Sequence, residues 1–219
     1  MTLVAYCGDD SYDYDEGFRG KGQFWCAIQD VNEGDRCGEH DGGTNPETGT
    51  PYATPQIYNV TYIGRGADQS KRVITFRDNA GGTYANSIFV NQEKGIDIEL
   101  LAGEGTYDRF KAGELEIKNN IFYNVADGTA EGIFKVSFGE GASANPNSTD
   151  AASEFANYFT TALNEVVDPG VTAENPIPTN AAGNNGLADY PDDFFESVDY
   201  KGAFGTTNWA SGWTLTFED

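Results

Sequence analysis

Short apolar runs, separated by glycine and polar turns, recur along the first two thirds of the chain. Three of them open on asparagine: Asn59-Val60-Thr61-Tyr62-Ile63, Asn86-Ser87-Ile88-Phe89-Val90 and Asn119-Asn120-Ile121-Phe122-Tyr123. They start 27 and then 33 residues apart. Each run is too short for a helix and is flanked by turn residues, which predicts strands. A second series interleaves with the first: Val73-Ile74-Thr75-Phe76, Gly95-Ile96-Asp97-Ile98 and Gly132-Ile133-Phe134-Lys135-Val136. Two strands per coil, at a repeat of about 25–35 residues, predict a solenoid that stacks its strands in parallel.

The N-terminal third continues the pattern. Leu3–Cys7 and Phe24–Gln29 read as first-series strands. Between them, Asp13-Tyr14-Asp15-Glu16-Gly17 and Glu39-His40-Asp41-Gly42-Gly43 lie 26 residues apart, close to one coil. That register places Asp13 under Glu39 and Asp15 under Asp41. Past residue 140 the rhythm changes, so residues 1–140 are assigned to coils and 141–219 to a loop, a helix and a cap of the same domain. GEGASANPNSTD reads as the loop. DAASEFANYFTTALNEVV reads as an amphipathic helix opening at Asp150, with Phe155, Phe159, Leu163 and Val166 on its apolar face. Pro/Asn/Gly-rich residues 169–188 are too punctuated for regular structure. The tail is dense in aromatics, and Tyr200, Phe204, Trp209 and Trp213 are expected to plug the last coil, since an exposed coil end aggregates.

Composition narrows the function. With 219 residues the chain makes one domain with a sizeable core. Thirteen basic against 35 acidic residues give a net charge of −22, which phosphate backbones and anionic lipid surfaces repel. Nucleic-acid binding is thereby excluded. No run of about 18 apolar residues exists, so membrane insertion is excluded too. Few lysines and many Asn, Gly, Thr and Tyr suit an extracellular β-rich protein, secreted or at the cell surface.

The coil pattern resembles the right-handed parallel β-helix, or pectate-lyase-like, superfamily. The segments DEGFRGKGQFW, EHDGGTNPETGTPYATPQIYNVTYIG, ITFRDNAGG and DYKGAFGTTNWASGWT are similar to those of secreted bacterial surface proteins without an assigned activity. The resemblance implies an all-β, right-handed parallel β-helix with asparagine ladders at the coil corners. It also implies further coils ahead of a run such as LVAYCGDDSYDYDEG. It implies no chemistry.

The residues themselves supply candidates. Asp13, Asp15, Glu39 and Asp41, beside Asp9, Asp10 and Glu16, offer oxygen ligands that suit calcium. Arg19, Lys21, Arg36 or Arg77 would neutralise the same charges without a metal. A carboxylate pair for polysaccharide hydrolysis, or a base for elimination, is available from Asp78, Asp97 and Glu99 with Arg77. Outward residues of a strand are more often a solvated face. His40 is the one histidine, which excludes a multi-histidine zinc site and leaves a structural role. Cys7, Cys26 and Cys37 allow three pairings, and one disulfide is expected in an oxidising compartment. Two functional classes follow. The first is a non-catalytic extracellular scaffold, adhesion or filament subunit that self-assembles through an open N-terminal coil. The second is a polysaccharide-binding or polysaccharide-cleaving protein that uses acidic residues and calcium.

Overall fold

The computed structural model describes residues 1–43, 45–101, 105–138, 148–180 and 186–217. The chain winds through successive coils. The first holds β1 (Thr2–Ala5), β2 (Tyr12–Tyr14) and β3 (Lys21–Gln23). The second holds β4 (Trp25–Ile28), β5 (Gly38–Asp41) and β6 (Gln56–Tyr58). The third holds β7 (Thr61–Gly66), β8 (Arg72–Arg77) and β9 (Gly82–Ala85). The fourth holds β10 (Ile88–Gln92), β11 (Lys94–Leu100), helix α1 (Thr106–Lys111) and β12 (Leu115–Lys118). The fifth holds β13 (Ile121–Val125), α2 (Ala130–Ile133) and β14 (Phe134–Phe138), and α3 (Ser148–Thr161) and β15 (Glu165–Val166) follow.

Among the described residues every strand pairing is parallel, and the strands sort into three sheets. Sheet A runs β1-β4-β7-β10-β13-β15, sheet B runs β2-β5-β8-β11-β14, and sheet C runs β3-β6-β9-β12. The first series is sheet A and the second is sheet B. Thr61, Ile88 and Ile121 share one register row, as do Ile74, Ile96 and Phe134. Each of the first four coils therefore has three strands where two were expected. Sheet C escaped notice because its strands are three or four residues long. Each sends one central residue inward, along the row Gly22, Ile57, Tyr84 and Ile117.

Alternation decides what the interior receives. Ala27, Tyr62, Phe89 and Phe122 from sheet A meet Ile74, Phe76, Ile96 and Ile98 from sheet B in one continuous core. Asn59, Asn86 and Asn119 sit at the corners before sheet A with φ of 51°, 56° and 56°, a left-handed conformation that asparagine tolerates better than most residues. The residue after each corner bonds along the stack. Ser87 accepts from the Val60 N–H, Asn120 Oδ1 accepts from the Ser87 N–H, and Asn164 Oδ1 accepts from the Asn120 N–H.

The helix expected from Asp150 through Val166 spans Ser148–Thr161 instead. Leu163 takes the left-handed corner at φ 57°, Asn164 extends the ladder, and Val166 lies in β15 beside Phe122. Leu163 and Val166 are accordingly exposed and do not belong to the helix's apolar face. Phe155 and Phe159 do, and they close the last coil against Phe134 and Phe122. Most of the loop expected at GEGASANPNSTD, residues 139–147, lies outside the described residues. Its last residues, Ser148–Asp150, begin α3.

The aromatic tail is not a plug on the last coil. It runs as a strap along the outer face of sheet A, back toward the first coils. Outward Cys26, Ile28, Ile63, Ile88 and Val90 pack under Val171, Ala203, Phe204 and Ala210. The corner asparagines tie it down: Asn59 Nδ2 donates to the Tyr200 carbonyl, Asn86 exchanges two bonds with Ala188, and Asn119 Nδ2 donates to the Gly186 carbonyl. Gln23 exchanges two bonds with Glu196 in the same way. Phe204 stacks on Trp209 and Tyr200 lies against Phe24, whereas Trp213 is largely exposed. The strap exists because sheet A has apolar residues on both faces, so its outer face also needs a cover.

Candidate functional site

With sheet A under the strap, and sheet C partly covered where Tyr190 and Phe195 pack on Tyr58 and Ala85, charge concentrates on the outer face of sheet B. One outward row reads Asp13, Glu39, Thr75, Asp97 and Lys135. In the next, Asp41 pairs with Arg77 and Glu99 with Ser137. The expected placement of Asp13 beside Glu39 is therefore observed. Asp15 lies just past the end of β2, and its charge helps raise the pKa of Asp13 after burial has done most of it.

The proposed calcium residues are engaged by arginine. Arg36 reaches Glu39 at 2.8 Å, Asp35 at 3.1 Å and Asp10 at 3.4 Å, and its Nε donates to Thr75 Oγ1 at 2.9 Å. Arg77 holds Asp41 with two hydrogen bonds and Glu39 at 3.0 Å. The set Asp13, Asp15, Glu39 and Asp41 does not gather its oxygens into one cluster. Among the described residues, the three carboxylates whose oxygens do lie within 4.8 Å of one another are Asp9, Asp10 and Asp35. Arg36 already pairs with Asp10 and Asp35, and Lys71 with Asp35. Of the sequence candidates for counter-charge, Arg36 and Arg77 serve here, while Lys21 pairs with Asp192 of the strap and Arg19 donates to the Tyr52 carbonyl.

The residues proposed for catalysis also share this face. Asp97 is buried, 3.5 Å from Arg72, with Oδ1 lacking a hydrogen-bond partner. Glu99 Oε2 accepts from the backbone N–H of Asp78, which brings those two side chains to one corner. Asp78 itself holds φ at 53°. Burial, then the charges of Asp41, Glu99 and Glu47, push Asp78 up to about 7 against Arg77. Burial pushes Glu39 up to about 7 as well, against Arg36 and Arg77, with Asp10 adding to the rise. Burial raises Asp97 and Glu99 too. A carboxyl that keeps its proton near neutrality beside one that is ionised is the arrangement acid–base chemistry uses.

The shift of Asp78 sets a pH dependence. The folded chain holds the proton of Asp78 up to about pH 7, while the unfolded chain releases it near its ordinary carboxylate pKa. Stability therefore falls as the pH rises from about 4 to about 7. Solvent screening at this half-open position limits the loss to about 1 kcal/mol. Asp78→Asn removes the charge and suits the left-handed backbone, so denaturant unfolding at about pH 8 is expected to show a gain near 1 kcal/mol and a flatter pH profile. An unchanged profile would remove Asp78 as the source.

His40 is structural. It is fully buried between Tyr14 and Tyr84, its Nδ1 is 2.6 Å from the Glu39 carbonyl and its Nε2 is 2.7 Å from the Tyr84 hydroxyl. Burial lowers its pKa to about 3, so the ring is neutral, with Nδ1–H donating and Nε2 accepting. The expected disulfide is not formed, and Cys7, Cys26 and Cys37 are free thiols. Cys26 faces the strap, Cys37 faces the inner core, and Cys7 donates to the carbonyls of Asp9 and Asp10 beyond β1. Arg72 and Lys135, which flank Asp97, are contributions that sequence reasoning passed over. Their only signal was one cation just before the first second-series window and one inside the last, in an acid-rich chain.

A family model for the pectate-lyase-like β-helix domain matches residues 1–214, the whole coil stack and nearly all of the strap. The chain belongs to the pectate-lyase-like β-helix family. Comparison with curated proteins and with solved structures finds no match. Membership in the pectate-lyase-like β-helix family accounts for the parallel sheets and the ladders, and it assigns no role to the charged face.

Proposed function

We propose that this β-helix domain is a non-catalytic structural module of a secreted or cell-surface protein, serving in scaffolding, adhesion or matrix building. The observation that carries the reading is Arg36. One guanidinium spans three coils, from Asp10 through Asp35 and Glu39 to Thr75, and Arg77 continues the chain of pairs to Asp41. Charge on this face is spent holding coils together. Partly buried networks of this kind resist separation of their members, because removing one partner strands the others.

Such a module needs a way to join something. β1, β2 and β3 each end their sheet, so the first coil presents three edge strands with unpaired backbone groups. Edges of that kind template further strands, from additional coils or from a second copy. The other end of the stack is closed by α3. Where no further coil covers that edge, copies would join edge to edge about a two-fold axis, which stops at a pair, in preference to the filament that head-to-tail stacking would build. Negative-stain electron microscopy is expected to show paired particles, with calcium and with a chelator alike. The melting temperature should also survive chelation, since arginines neutralise the acidic rows. Single particles in both conditions would remove self-assembly from the proposal, and a large fall in melting temperature on chelation would restore calcium to it.

A second reading, polysaccharide binding or cleavage on the same face, is favoured by one observation: the pairing of Asp78 with Glu99 at one corner. It predicts product release from a polysaccharide panel, with calcium present, that Asp78→Asn abolishes while the domain stays folded. Absence of release from the unaltered domain would end this reading.

A further inference from the structure

Thirteen basic side chains share a molecule carrying 35 acidic ones, and nearly all find a partner. Lys21, Arg36, Lys71, Arg72, Arg77, Arg109, Lys118 and Lys201 make ion pairs. Arg19 and Arg65 donate to carbonyls, and Lys111 lies over the Tyr107 ring. Lys94 and Lys135 remain. Among the described residues neither has an ion pair or a side-chain hydrogen bond, and both line the same cavity of about 340 Å³. The third cation there is Arg72, and it stands directly beside Lys94 in the β8–β11 register. Like charges in direct cross-strand register oppose each other. Asp97 answers Arg72 at 3.5 Å, and an anion in the cavity would answer the two lysines.

The other walls do not cancel the charge. Glu93 accepts from the Ser70 N–H, and Asp127 accepts from the Thr129 N–H and hydroxyl, so both acids are occupied locally. The lining carries Arg72, Lys94 and Lys135 against Glu93 and Asp127, and Arg72 also answers Asp97 3.5 Å away, so the two lysines are the cations left to meet a ligand. Gly95 and Ala126 supply a small apolar floor, and Gly95 is required because a Cβ there would meet the Ile133 carbonyl oxygen at 2.0 Å. The cations come from three successive strands of sheet B, β8, β11 and β14. A carboxylate offers two oxygens to such a set. A sulfate monoester offers three free oxygens, one for each of the three cations. We propose that this cavity is a binding site for a sulfate-type oxyanion, at the edge of the charged face and independent of either reading of Asp78.

Isothermal titration at constant ionic strength, with 4-nitrophenyl sulfate as the probe, tests it. Saturable binding is expected, weakened about tenfold or more in a Lys94→Gln, Lys135→Gln double variant and unchanged in Lys111→Gln. Neither lysine loses an ion pair on substitution, so the double variant should fold and melt as the unaltered protein does. Benzoate is expected to bind more weakly than the sulfate ester. Inorganic sulfate competing on equal terms would assign the site to the free anion, and weaker competition would assign it to an ester whose organic body also contacts the floor. Unsaturable binding, equal binding by the double variant, or a preference for benzoate would each overturn the assignment.

Discussion

Gly202→Val is expected to destabilise the domain by about 2–5 kcal/mol and to lift the strap from sheet A. Gly202 has φ at 86°, a region that costs a β-branched residue about 1–2 kcal/mol. There is no space for a side chain either. A Cβ would sit 2.7 Å from Ile88 Cδ1 and 2.8 Å from Thr61 Oγ1, and overpacking a tight site adds about 1–3 kcal/mol. The neighbouring contacts would go together. The Gly202 N–H donates to the Asn86 carbonyl, the Ala203 N–H to Thr61 Oγ1, and Lys201 pairs with Glu165 at 2.8 Å in a nearly buried bridge. Denaturant unfolding measures the loss, and thiol labelling locates it. Cys26 lies fully buried under the strap, so Gly202→Val should expose one more reactive thiol than the unaltered protein. A wild-type midpoint with Cys26 still protected would show that the strap is held elsewhere.

The motif DYKGAFGTTNWASGWT thus has a physical meaning that composition did not disclose. Its aromatics pointed to burial, correctly for Phe204 and in part for Tyr200 and Trp209, but the surface they bury against is set by contacts more than 100 residues away in sequence. What was legible was the arithmetic of the coils. Asn59, Asn86 and Asn119 mark one corner by a property of asparagine alone, and the runs behind them fell into register row by row. Sheet C was illegible because three-residue strands such as Lys21–Gln23 and Gln56–Tyr58 carry one inward residue each, too few to show a period. On the charged face, stacking Asp13 on Glu39 followed from spacing. Which cation answers that stack did not, since Arg36 reaches it from the turn before β5 and Arg77 from the coil beyond. The cavity between Arg72, Lys94 and Lys135 was equally hidden. Nothing local to any of the three residues says that the other two share its pocket.

Phe155→Ala is expected to cost about 3–5 kcal/mol and to change the state of assembly, a combination that distinguishes a closed coil end from ordinary core packing. Phe155 is fully buried, touching the rings of Tyr107, Phe110 and Phe134, and with Phe159 it closes the interior of the fifth coil. Truncation leaves a cavity at the place where α3 meets the stack. The helix then loses its main anchor, and the rings of Phe122 and Phe134 come within reach of water. With α3 in place the far end of the stack is covered, and the proposed association runs through β1, β2 and β3. β12 and β14 are the last strands of their sheets, so release of α3 uncovers their edges as well, and head-to-tail growth would no longer have an end. Light scattering at a temperature where the variant stays folded should therefore detect species larger than those the unaltered protein forms. Phe110→Ala supplies the control. Phe110 is buried in the same cluster and packs on Phe155, but it belongs to α1, so its loss lowers stability while α3 keeps its contacts with Phe122 and Phe134. Equal destabilisation without growth in Phe155→Ala would mean that α3 stays seated and that closure of the coil end does not govern association.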